Sequence, residues 1–108
     1  MKKVHDTNVL YVIECFDDNE RFIKVGTTKT TINRRFSGKK MPYHWRLISK
    51  VKCHYSHSLK VETLLSDELD QYEPLKKFGG YLECFKFSDL GLVSRLSTEM
   101  LCNLEVSK

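Results

Sequence analysis

A chain of 108 residues, 41% hydrophobic and 30% charged, has the size and balance of one soluble globular domain and is short for two. Its first apolar run, residues 9–13, is shorter than a signal sequence requires and far below the ~20 residues of a membrane span, so the expected protein is cytoplasmic, without membrane contact. The net charge of +4 is unevenly spread: residues 21–61 hold eleven of the eighteen Lys and Arg and no acid, while the flanks hold fourteen acids against seven bases. Such a block must present a positive surface, which attracts polyanions. Phe36, Tyr43, Trp45 and Tyr55 interleave it, which favours nucleic acid over a solvated face balanced by the acidic flanks.

Residues 9–16 and 22–27 read as strands joined by Asp17-Asp18-Asn19-Glu20, which has turn chemistry. A two-residue or a four-residue loop gives one register, with Tyr11 opposite Gly26 and Ile13 opposite Lys24. Tyr11 and Lys24 then share a face as diagonal neighbours, close enough for an ammonium to reach a phenol. The alternative is a solubilising edge-strand lysine beside a core tyrosine.

Thr30 or Thr31 caps a short helix in which Ile32 and Phe36 form an apolar i, i+4 pair. Arg34 and Arg35 lie about 100° apart on it, and Arg35 shares its side with Lys39. Pro42 marks a loop. Trp45, Leu47, Val51, Cys53 and Tyr55 fall at period two, predicting a third strand with a basic opposite face.

Ser58 caps a helix predicted to run to about Tyr72, with Val61, Leu65, Leu69 and Tyr72 as its core stripe. Glu62 and Glu68 flank that stripe about equally, so position does not choose between them. Pro74 and Gly79-Gly80 make a loop, residues 82–87 a short strand, and Ser88 caps a last helix with Leu90, Val93, Leu96, Met100, Leu101 and Leu104 along one side. The order β-β-α-β-α-β-α predicts a single α+β domain, a small, mostly antiparallel sheet flanked by helices, with its core over about 9–88 and a C-terminal helix over about 88–105. Cys15, Cys53, Cys84 and Cys102 are far apart, without a C-x-x-C pair, so reduced thiols are expected. The lone ligand-like stretch "CHYSH" lacks a second pair at zinc spacing, so no structural zinc is expected.

Tyr11 within "LYVI", "KVG" at 24–26, "TTKTTINRRF", "VETLLSDEL" and "GGYLECFKFS" together resemble the GIY-YIG nuclease superfamily, specifically its small phage and bacterial branch with a K-[IV]-G-x-T second motif. The resemblance covers roughly residues 9–88 and departs from the family at four points: Val9 replaces the glycine of the first motif, Lys24 the second tyrosine and Lys39 the His or Tyr four residues after the arginine, and the asparagine near the last strand has no clear match. It implies Tyr11, Lys24 and Arg35 as catalytic residues and Glu62 as the ligand of one divalent metal, Mg2+ or Mn2+; Glu83 stands near the family's last-strand asparagine as an accessory candidate.

The implied activity is metal-dependent hydrolysis of phosphodiester bonds, with DNA as the expected substrate, in the cytoplasm of a bacterium or phage-infected host. Tyr11 as phenolate would take a proton from water, helped by the neighbouring ammonium of Lys24. Arg35 would neutralise charge on the phosphorus oxygens. Lys29, Arg34, Lys39, Lys40, Arg46, Lys50 and Lys52 are the nucleic-acid-binding candidates of the basic block. Two other readings compete: a catalytically silent domain of the same fold binding nucleic acid or a host protein, and a ribonuclease; a protein partner or a homodimer stands beside nucleic acid among the candidate partners.

Overall fold

The first N-terminal run, residues 9–16, is apolar at almost every position, not at every second one, which suits a strand buried on both faces. In the computed structural model, which describes residues 7–28, 41–76 and 83–106, β1 (Thr7–Phe16) and β2 (Arg21–Thr28) are the interior strands of a sheet. β3 (His44–His54) and β4 (Cys84–Lys86) flank them in the antiparallel order β3-β1-β2-β4. The α+β architecture is the expected one. The helix predicted after Thr30 or Thr31 and the Gly79-Gly80 loop lie outside the described residues.

One face of the sheet packs Leu10, Val12, Ile23, Val25 and Phe85 against two helices, α1 (Tyr55–Glu68) through Val61 and Leu65 and α2 (Leu90–Val106) through Val93. The other face carries Tyr11, Ile13, Cys15, Phe22 and Cys84 under Tyr43 and Tyr72. None of the four cysteines forms a disulfide, and burial pushes the Cys84 thiol up to about 12 and the Cys15 thiol further.

Both predicted helix starts move. α1 begins at Tyr55, directly after an extended His54, and the Ser58 hydroxyl donates to the Tyr55 carbonyl at 2.7 Å inside the first turn, so Ser58 is no cap. The helix ends at Glu68, because Leu69 turns extended (φ −121°, ψ 151°). Tyr72 therefore leaves the predicted stripe and crosses to the other face, where its ring stacks on Phe22 and its N–H donates to the Cys84 carbonyl at 2.8 Å. Ser88 falls in a 3-10 turn (Phe87–Asp89), and α2 starts at Leu90.

β3 also departs from the predicted alternation. Its register against β1 slips between Val12, opposite Ser49, and Ile13, opposite Leu47, so Ile48 is an extra residue. A bulge reverses the facing of everything beyond it. Trp45 and Leu47 share the tyrosine face with Cys15 and Ile13, but Val51 and Cys53 share the helix face with Leu10 and Asn8. The basic residues split the other way. Arg46 pairs with Glu14 on the helix face, while Lys50 and Lys52 pair with Tyr11 and Val9 on the tyrosine face.

Glu14, only 3% exposed, is a carboxylate that folding must compensate. Arg46 from β3 donates to it through Nε at 3.0 Å and Nη2 at 2.5 Å, and Arg21 from β2 approaches at 2.9 Å. At the hairpin turn, Asp17 accepts from the N–H groups of Asn19 and Glu20, at 2.8 and 3.0 Å, which holds its carboxyl below the usual range. Glu20 then accepts from the hydroxyls of Tyr43 and Tyr72 and from the Leu75 N–H. One turn carboxylate thus ties two separate loops over Phe22, at the turn end of the tyrosine face.

Candidate active site

The hairpin register decides which polar groups meet. Tyr11 pairs with Gly26 and Ile13 with Lys24, as the even-loop argument requires, so Tyr11 and Lys24 are diagonal neighbours on one face. Both are 1% exposed. β2 is interior, so the edge-strand alternative for Lys24 does not hold.

Gly26 shows how close the pair is. A Cβ there would lie 2.5 Å from the Tyr11 hydroxyl oxygen and 3.0 Å from the Lys24 ammonium, so these groups are separated by no more than the sum of the two distances. The phenol occupies the space a side chain would need. Gly26→Ala is accordingly expected to displace the Tyr11 ring and to cost about 1–3 kcal/mol by overpacking. That corresponds to a fall in Tm of roughly 5–15 °C, read from thermal melts. An unchanged Tm and activity would show that the ring yields freely.

Two carboxylates stand around the ammonium. Glu83, just before β4, places Oε1 3.9 Å from Lys24 Nζ. Glu62, half-buried on α1, is raised to about 7 by burial first and then by the negative charge of Glu83, with Lys24 opposing. Glu68, which sequence position could not separate from Glu62, is exposed on the same helix. The tertiary structure separates their surroundings: Glu62 is half-buried beside Lys24 and Glu83, whereas Glu68 faces solvent.

Tyr11, Lys24, Glu62 and Glu83 therefore come together although they lie up to 72 positions apart in the chain. Lys50 stands directly opposite Tyr11 on β3, and Lys52 opposite Val9. Arg46 is on the other face, engaged with Glu14. Lys29, Arg34, Arg35, Lys39 and Lys40 lie outside the described residues.

A carboxylate raised by its surroundings gains from a nearby cation, and Mg2+ is commonly held by one or two carboxylates plus phosphate oxygens. Glu62 and Glu83 fit such a site. Among the described residues there is no cluster of three or more His, Cys, Asp or Glu that would make an all-protein cage. Sequence reasoning passed over two features. One is the steric need for Gly26. The other is the bulge, which adjacent Leu47 and Ile48 signal by breaking the period-two pattern.

Residues 8–97, more than four-fifths of the chain, match the family model of the T5orf172 domain. No curated protein and no solved structure matches the chain.

Proposed function

From the premise that the chain belongs to the T5orf172 domain family, a nuclease-associated family, we propose that it is a GIY-YIG-type endonuclease that hydrolyses phosphodiester bonds in DNA. The observation carrying this reading is the convergence of a buried phenol and a buried ammonium over a glycine, with Glu62 and Glu83 alongside. Acid–base chemistry on a phosphodiester uses a phenol, an ammonium and carboxylates grouped in this way, which supports the reading.

Tyr11 is the general base. Its hydroxyl gives up a proton more readily with the Lys24 ammonium beside it, and then accepts one from attacking water. Lys24 is held by Glu83 at 3.9 Å and by the surrounding core, so its charge stays near the phenol. Glu62, with Glu83 next to it, would hold a divalent cation, Mg2+ or Mn2+, which supplies positive charge to the phosphate and the leaving oxygen. Arg35 takes the role of neutralising the non-bridging oxygens, as the resemblance implies.

Supercoiled plasmid incubated with Mg2+ or Mn2+ tests the reading. Conversion to open-circular or linear DNA by the wild type, absent in EDTA, is the expected result. Binding without any strand cleavage would leave the silent nucleic-acid binder, and cleavage confined to an RNA of matched sequence would leave the ribonuclease.

A further inference from the structure

The bulge at Ile48 gives the tyrosine face two positive groups that unbroken alternation would have put on the same face as Arg46. Lys50 lies across from Tyr11, and Lys52 lies one pair further along. Both are exposed, and among the described residues neither has an ion-pair partner. The residues they face on β1 carry no acid. Two residues apart on one strand face means about 7 Å, a spacing that flexible lysine stems can fit to nearby phosphates of one strand. The Tyr43 and Tyr72 loops cover the turn end of this face, whereas Lys50 and Lys52 flank the end where Tyr11 and Lys24 meet.

We infer that Lys50 and Lys52 form a phosphate subsite that seats the nucleic-acid backbone beside the reacting phosphodiester, so that the substrate strand enters over the β3 edge. This rests on the nuclease reading above and adds to it the path of the substrate. Arg46 is excluded from the subsite, because it lies on the helix face and is engaged there by Glu14.

The test is fluorescence anisotropy with labelled duplex DNA and RNA of the same sequence, in EDTA so that no strand is cut, over a range of salt concentrations. Lys50→Met/Lys52→Met is expected to flatten the slope of log K against log salt by about 1.8 on duplex DNA, because each phosphate contact contributes about 0.9. A charge-neutral swap, Ser49→Lys/Lys50→Ser, sends one ammonium to the face that Ser49 shares with Val12. It is expected to flatten the slope by about 0.9 although the net charge is unchanged. Lys60→Gln, exposed on α1, removes a charge of the same block and should leave the slope near that of the wild type.

Thermal melts establish that each variant is folded, and Lys50→Gln replaces the swap if the swap is not. Slopes for the swap or Lys50→Gln equal to the wild type, on both polymers, would overturn the subsite while leaving nucleic-acid binding intact. No binding of either polymer by the wild type at about 50 mM salt, where phosphate contacts are strong, would instead overturn the nuclease reading, and the subsite with it.

Discussion

Lys24→Met is expected to slow strand cleavage near neutral pH by one to two orders of magnitude and to recover part of the loss as the pH rises, whereas Tyr11→Phe is inactive throughout. A free phenol ionises near pH 10, so near neutrality little of it is base without help. An ammonium no further away than the sum of the 2.5 and 3.0 Å distances at Gly26, at an effective dielectric constant of about 20, favours the phenolate by about 3 kcal/mol. Each ~1.4 kcal/mol is a factor of ten in rate. Glu83, 3.9 Å from the ammonium, offsets part of that field, which sets the lower end of the range.

Methionine nearly matches the volume of the lysine it replaces and needs no compensating charge at a site 1% exposed, so the fold should survive. Removing the base leaves nothing for Lys24 to assist, so the double variant should be no worse than Tyr11→Phe alone. The measurement is the pH–rate profile of plasmid nicking for the four proteins. A Lys24→Met profile lying over that of the wild type would remove the activating role, and near-normal cleavage by Tyr11→Phe would remove the tyrosine from the chemistry.

Glu62→Gln should abolish cleavage, keep DNA binding and yet stabilise the metal-free domain at alkaline pH. The Glu62 carboxyl is raised from 4.5 to about 7 in the folded protein by burial and by Glu83. Between those values the folded state binds the proton that the unfolded state has lost, so stability declines as pH rises through about 7. Above that, the ionised carboxylate carries its full penalty, about 1–2 kcal/mol after allowance for its partial exposure.

Glutamine cannot ionise. The variant should match the wild type at pH 4 and exceed it at pH 8.5 in urea or thermal melts. Added Mg2+ or Mn2+ should raise the Tm of the wild type at pH 8.5 and leave that of the variant unchanged, because a cation that binds only the folded state stabilises it. Glu68→Gln, exposed on the same helix, should do neither. A metal response that survives Glu62→Gln and disappears in Glu68→Gln would move the metal to the Glu68 side of α1.

The first two strands were legible because their apolar runs and the turn between them are written locally, whereas their interior place in the sheet came from the pairing with β3 and β4. Residues 9–16 are apolar at nearly every position, and the polar turn at 17–20 allows only one register for an even loop. That register puts Tyr11 and Lys24 on one face without help from any contact beyond the hairpin. The helix starts were less legible. Ser58 and Ser88 have capping chemistry, but the chain turns into α1 straight from β3, and a 3-10 turn takes up Ser88. A hydroxyl near a helix start can cap it or bond back within its first turn, and local sequence favours neither outcome.

By itself the sequence determined the hairpin, the sheet-plus-helix architecture and the short-range geometry of Tyr11 and Lys24, all consequences of side-chain period and turn length. Only the tertiary structure distinguishes the surroundings of Glu62 from those of Glu68, because their helical angles are equivalent and the charges beside Glu62, Lys24 and Glu83, arrive from distant parts of the chain. It also decided which lysines face the phenol. One extra residue at Ile48 exchanges the two faces of an edge strand, and pairing with β1 rather than any property of residues 44–54 alone sets where that residue is accommodated.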